Sequence, residues 1–383
     1  MNHAMIELPT GGSGQSRAAA WWFYEQLDRS RRWQGRALDA LGLGPVETPF
    51  RITFRAPGLT LRAYHDSVDR TAPVLLIVPA PIKRPYIWDL APAGSVVRQC
   101  LREGMKVYMI EWVEPGIKEE GFGLANYADR LILDCLGFIK QEEGKSRVFL
   151  AAHSLGGTLA AIFAALHPEQ VQGLVLIAAP LHFGPSVGVF GPLAAAVEHM
   201  RLTASLPNPV PGSFLSALSY VASPQTFAEA RWVDWVKSLV DPRVLRTHMQ
   251  VERWTFDEMP MSRQLFEDVV KLLIREDCLM RGVLRVGRQR AAPQSLQAPL
   301  LCVTDRRCRI VPPEAVLPFF QAARSSVKRL LWYEGDTGVS LQHVGPLVGR
   351  TAHQYLWPEI LRWIHAQTGG HEMTHVTAHL IRE

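Results

Sequence analysis

Residues Phe149–Ala161 read FLAAHSLGGTLAA. The apolar run Arg147–Ala152 ahead of Ser154 predicts a buried strand, and the Ala/Leu-rich run Thr158–Leu166 behind it predicts a helix. A chain that leaves a buried strand and enters a helix at once can turn only through a strained backbone, so the neighbours must be small. Ala152, Gly156 and Gly157 meet that need: the pattern is a G-x-S-x-G nucleophile elbow with alanine in the first glycine position. The plainer alternative is a serine capping a helix in a glycine-rich turn. What the rest of the chain supplies decides between them.

Strand-like runs surround the elbow in order: FRITF from Phe50, LTLRAYH from Leu59, VLLIV from Val74, KVYMIEW from Lys106, RVFLAA from Arg147, VQGLVLIAA from Val171, PLLCVT from Pro299 and RLLWY from Arg329. Several are apolar throughout, as strands covered on both faces are. Helical patterns lie near 93–103, 124–140, 155–166, 313–323 and 352–366. The alternation predicts an α/β fold with a mostly parallel central sheet and helices on both faces. Residues 181–298 interrupt it, rich in Trp, Phe, Met and Pro as in WVDWVKSLVDP and VERWTFDEMPMS. A loop of that length is improbable, which predicts a helical cap over the site, burying VERWTF and VDWV. The expected partition is a helical lead-in at 1–49, a core at 50–180 and 299–366, the cap at 181–298 and a tail at 367–383.

An elbow serine needs a base, an acid and an oxyanion hole. The order Ser154, Asp305 after a late strand, His343 after the last strand is the one an α/β-hydrolase requires. Asp305 is the expected acid, with Asp336 or Glu334 in the loop before His343 in reserve. The Leu155 N–H at the helix start and the Ile82 N–H in the Pro-rich turn after Val78 are the expected oxyanion donors; Pro81 has none to give. His153 is expected to shape the elbow.

Composition narrows the partners. A net charge of +5 with Lys and Arg spread along the chain lacks the footprint of nucleic-acid binding. Five cysteines without a CxxC pair predict reduced thiols and a cytoplasmic setting. The N-terminal stretch does not read as a signal peptide, and no apolar run approaches the ~20 residues of a transmembrane segment. The tail carries His-Glu-x-x-His at His371–His375 with His379 beyond, but its setting argues against a catalytic zinc site. No cofactor or metal is expected.

From about Phe50 to His365 the chain resembles the polyhydroxyalkanoate synthases, above all the type whose catalytic subunit works with a partner subunit. The likeness rests on KRPYIWDL (Lys83–Leu90), KVYMIEWVEPG (Lys106–Gly116), SLGGTLAAIFAALHPEQVQGLVLIAAPLHF (Ser154–Phe183), VERWTFD (Val251–Asp257) and HVGPLVG (His343–Gly349). The family places a cysteine where this chain has Ser154. Aligned on VPP, Cys308 and Arg309 stand where the family has its Asp-His pair, and Asp305 falls three residues early. The loop EGDTGVSLQH before His343 also looks longer than the family's.

The resemblance implies an α/β-hydrolase fold and a 3-hydroxyacyl ester or acyl-CoA thioester, or a polyester, as substrate, with a homodimer or a partner subunit as the assembly. A serine, unlike a thiol of pKa ~8.5, needs a well-oriented histidine. The expected activity is therefore hydrolysis of an ester or thioester through an acyl-serine. Synthase-like acyl transfer stands second, and a non-catalytic granule-binding or regulatory homologue third.

Overall fold

Residues 14–64, 69, 71–184, 187–193 and 206–368 are described by a computed structural model. Eight strands build the main sheet: β1 (Arg51–Ala56), β2 (Leu59–Ala63), β3 (Val74–Val78), β4 (Lys106–Trp112), β5 (Val148–His153), β6 (Val171–Ile177), β7 (Leu300–Thr304) and β8 (Lys328–Trp332). Each lies on a stretch anticipated from sequence. Their order is β1-β2-β4-β3-β5-β6-β7-β8, antiparallel around β2 and parallel from β4 onward.

Strands β3, β5 and β7 are buried at every residue, the reason they read as unbroken apolar runs. Alternate side chains serve opposite faces. Leu76, Leu150 and Leu174 pack with the helices Leu131–Glu143 and Leu155–Leu166, while Leu75, Phe149 and Val175 pack with Val96–Arg102 and Trp357–Ala366. With the central strands parallel, their carboxyl ends share one edge, and the residues that follow β5 and β7 emerge there together.

Between β6 and β7 stand the helices Gly212–Ala222, Ala230–Ser238, Pro242–Thr255 and Arg263–Asp268. The lead-in helix Gly14–Ala40 leans on the first of them, Trp21 and Tyr24 meeting Phe214 edge-on. The same interval holds a hairpin, Leu284–Val286 with Gln289–Ala291, which was not anticipated. It packs against the helix Leu155–Leu166 with Leu284, Val286 and Ala291 buried, so its apolar residues serve the core.

Of VERWTF, Val251, Arg253, Trp254 and Thr255 are buried and Glu252 and Phe256 half-buried, but VDWV is not buried as a unit. Val233, Trp235 and Val236 are exposed, and it is Asp234 that turns inward. Its carboxylate accepts hydrogen bonds from two backbone N–H groups of another loop, a stronger reason to face in than apolar burial alone. Among the described residues no helix is long and apolar enough to cross a membrane. His371, His375 and His379 lie outside the described residues.

Candidate active site

Strand β5 ends at His153 and the next helix begins at Leu155. Ser154 makes the turn alone, at φ 55° and ψ −135°, with its N–H held by the Ile177 carbonyl at 3.1 Å. A non-glycine residue there is strained, and such strain persists only where the surroundings impose it. The glycines explain themselves by contact. A Cβ on Gly156 would lie 2.3 Å from the Val78 carbonyl oxygen, and one on Gly157 would lie 2.4 Å from the Ala179 methyl. Helix and strands close to that distance only without side chains.

His343 arrives on the short turn Gln342–Val344, its Nε2 2.8 Å from Ser154 Oγ. The ring is buried, and burial, with His153 adding repulsion, holds its pKa well below the ordinary histidine range. His153 Nε2 lies 2.8 Å from the His343 carbonyl oxygen. A carbonyl only accepts, so His153 carries its proton on Nε2 and donates. Burial pushes the His153 pKa down to about 4, which keeps this prop uncharged.

The expected acid is not in place. Asp305 sits at the end of β7, almost wholly buried, but Oδ1 accepts the Arg307 N–H at 2.7 Å and Oδ2 is buried without a hydrogen-bond partner. Among the described hydrogen bonds none joins Asp305 to His343. The physical reason is the turn that follows: the Cys308 N–H bonds back to the Asp305 carbonyl at 3.2 Å, and this turn presents Cys308 Sγ to His343 Nδ1 at 3.6 Å. Asp336 is engaged elsewhere, accepting from Tyr333 Oη at 2.6 Å and from the Thr351 N–H at 3.0 Å. Glu334 is exposed.

A cavity of about 170 Å³ opens on Ser154 and His343, walled by Ile82, Leu215, Phe227 and Trp254. The cap is fastened over it. Trp254 Nε1 donates to the Arg84 carbonyl at 2.9 Å, and Lys83 Nζ donates to the Thr255 carbonyl at 2.6 Å and to Glu258 Oε1 at 3.0 Å. Arg31 of the lead-in helix reaches the same Glu258 oxygen at 3.1 Å. Burial lowers the Lys83 pKa to about 8, Glu258 opposing it. A second cavity, about 770 Å³, meets His343 from the side of Cys308, with Arg307, Arg350 and Asp234 in its wall.

Sequence reasoning missed Asp234. Its Oδ1 accepts the Gly338 N–H at 2.9 Å and its Oδ2 the Ser340 N–H and His248 Nδ1, both at 2.8 Å. Ser340 Oγ also meets Glu252, and Ser340 takes a positive φ of 60°. Two cap carboxylates thus hold the loop that carries His343. The signal was a single aspartate interrupting an apolar helical stretch.

Comparison with known proteins places the chain among its relatives. The family described as serine aminopeptidase, S33, matches residues 93–336, more than half of the chain. A poly(3-hydroxyalkanoate) polymerase subunit PhaC from Haloferax mediterranei is 27% identical over 353 residues, covering 91% of this chain and 70% of the relative. The subunit of the same name from Allochromatium vinosum is 25% identical over 346 residues, covering 89% and 96%. Among solved structures, a soluble variant of monoglyceride lipase from Saccharomyces cerevisiae superposes with a TM-score of 0.51 at 14% identity, covering 85% of this chain and 96% of that one, a likeness of fold. The chain belongs to the serine aminopeptidase, S33, family, and it is an α/β-hydrolase-fold enzyme of the hydrolase or acyltransferase type.

Proposed function

We propose that the protein hydrolyses an ester or thioester of a short hydroxyacyl group through an acyl-enzyme on Ser154. The observation that carries this is the 2.8 Å contact between Ser154 Oγ and His343 Nε2 at the mouth of a small apolar cavity. Ser154 Oγ attacks the acyl carbon as its proton passes to His343 Nε2. The tetrahedral intermediate collapses, and the leaving thiol or alcohol takes that proton. Water then repeats the sequence, releasing the acid and restoring the serine.

The oxyanion is assigned to the N–H groups of Leu155 and Ile82. Leu155 opens its helix, where first-turn N–H groups have no intrahelical acceptor and the helix dipole is positive. Ile82 lines the cavity, and its carbonyl, on the peptide next to the one that carries its N–H, accepts the Met259 N–H at 3.1 Å.

Acyl transfer from a 3-hydroxyacyl-CoA to an alcohol is the second reading. The relatives named as polymerase subunits favour it, as does a second, larger cavity reaching His343 from the other side, where an acceptor could enter apart from the donor. Mass spectrometry of the protein mixed with a series of 3-hydroxyacyl-CoA esters separates the two. Rapid CoA release without a lasting adduct is expected. A persistent acyl group on Ser154, discharged by an added hydroxy acid, would favour transfer, and silence toward both substrates and fluorophosphonate would remove both readings.

The rate should depend on pH in an unusual way. Only neutral His343 can take the serine proton, and its depressed pKa keeps it neutral in acid that protonates an ordinary histidine of pKa ~6.5. Among the described residues the polar groups facing the ring are Ser154, His153 and Cys308. Initial rates should therefore stay level from about pH 8 down to about 6. Half-loss near pH ~6.5 would show that the ring titrates normally.

A further inference from the structure

The imidazole of His343 is held between two side chains, and the second of them is a thiol. Cys308 Sγ stands 3.6 Å from Nδ1, buried, on the far side of the ring from Ser154. The sulfur already accepts the Val311 N–H at 3.4 Å. Burial raises the thiol pKa to about 11, so the S–H proton stays on at neutral pH. That proton needs an acceptor, and Nδ1 is the one in hydrogen-bond reach among the described residues. An imidazole nitrogen accepts well, whereas sulfur accepts weakly, so S–H···N is favoured over N–H···S.

We propose that Cys308 is a positioning residue that sets the tautomer of His343, its thiol donating to Nδ1 so that the ring proton lies on Nε2, facing Ser154. In this resting form the 2.8 Å contact runs from Nε2–H to Ser154 Oγ, the reverse of what proton abstraction needs. Before each attack the ring must change tautomer, Nε2 giving its proton to solvent in the cavity over Ser154 and Nδ1 taking one from solvent in the second cavity, with sulfur then the acceptor. This exchange without net charge restrains the serine and leaves the site's shape alone. A carboxylate at the same point can only accept; it would fix the proton on Nδ1 and leave Nε2 free. The buried Asp305 does not relieve the restraint, because its carboxylate is turned to the Arg307 N–H.

This rests on Ser154 and His343 acting as proposed above, and the test separates the two. Nitrogen-15 NMR of the ring in the wild-type protein at about pH 8 should show Nε2 protonated and Nδ1 bare, a readout that needs no turnover. In Cys308→Asp the proton should move to Nδ1, and fluorophosphonate labelling of Ser154 should quicken by roughly 10²-fold or more, within the ~10⁴ that a correctly held tautomer is worth. The acid limb of its rate profile should move to higher pH, because a carboxylate steadies the imidazolium. Should that variant fail to fold, Cys308→Ala removes the donor and should label faster than wild type, while Asp305→Asn should label like it.

Protonated Nδ1 in the wild-type ring, or slower labelling in Cys308→Ala, would overturn the proposal, since sulfur would then be the acceptor. The Nε2–H tautomer in a protein that never labels, even as Cys308→Asp, would support the assignment of the ring and remove the serine enzyme instead.

Discussion

Ser154→Ala is expected to cut ester and thioester turnover by roughly 10⁴-fold or more, because in the proposed reaction Oγ is the atom that bonds to the acyl carbon. The fold should survive. Alanine is no larger than serine, and the backbone hydrogen bond from residue 154 to the Ile177 carbonyl does not involve the side chain. Ser154→Gly sharpens the test, since glycine enters the region at φ 55° without the penalty that serine bears. It should be as inactive as alanine yet more stable than wild type, by on the order of 1 kcal/mol in urea unfolding. An inactive variant that is also destabilised would mean that the turn, not the hydroxyl, had been lost. Activity within tenfold of wild type in either variant would remove Ser154 as nucleophile.

Gly156→Ala should have the opposite sign to the same change elsewhere in the chain. On an open helix surface the substitution gains about 1 kcal/mol. At Gly156 the new methyl would lie 2.3 Å from the Val78 carbonyl oxygen and 2.6 Å from the Pro79 carbonyl carbon, both backbone, so β3 and the helix must part. The expected cost is about 3 kcal/mol, with activity lost because the same displacement moves the turn that presents Ile82. Gly137→Ala is the control. It lies in the helix Leu131–Glu143 with nothing within 4 Å of the added carbon, and it should be stabilising. Equal effects at the two positions would show that the elbow is looser than its contacts imply.

The sheet was legible because buried parallel strands need unbroken apolar runs, and VLLIV, VFLAA and LLCVT admit few other readings. That Ser154 and His343 meet could be anticipated because elbow sterics and chain order constrain them. Asp305 could not be judged that way. Whether a side chain one residue past a strand end faces a given ring depends on the turn that follows, here closed by the bond from Cys308 N–H to the Asp305 carbonyl. Asp234 was hidden for a related reason: VDWV has the apolar pattern of a packed face, and only the two N–H groups of a loop a hundred residues away reveal which side is inward. Local pattern reports burial well and pairing poorly.

The bonds from Asp234 and Glu252 tie the helices Ala230–Ser238 and Pro242–Thr255 to the loop ahead of His343. A displacement of the helix Ala230–Ser238 would pull on Gly338 and Ser340, three to five residues ahead of the imidazole. With the helix displaced, Ser154 would lose its 2.8 Å contact with His343 until the helix settles again. On the proposed reading the arrangement would work as an interlock: bulk water, which would enter most freely with the helix raised, would meet the serine at the moment it is least able to react.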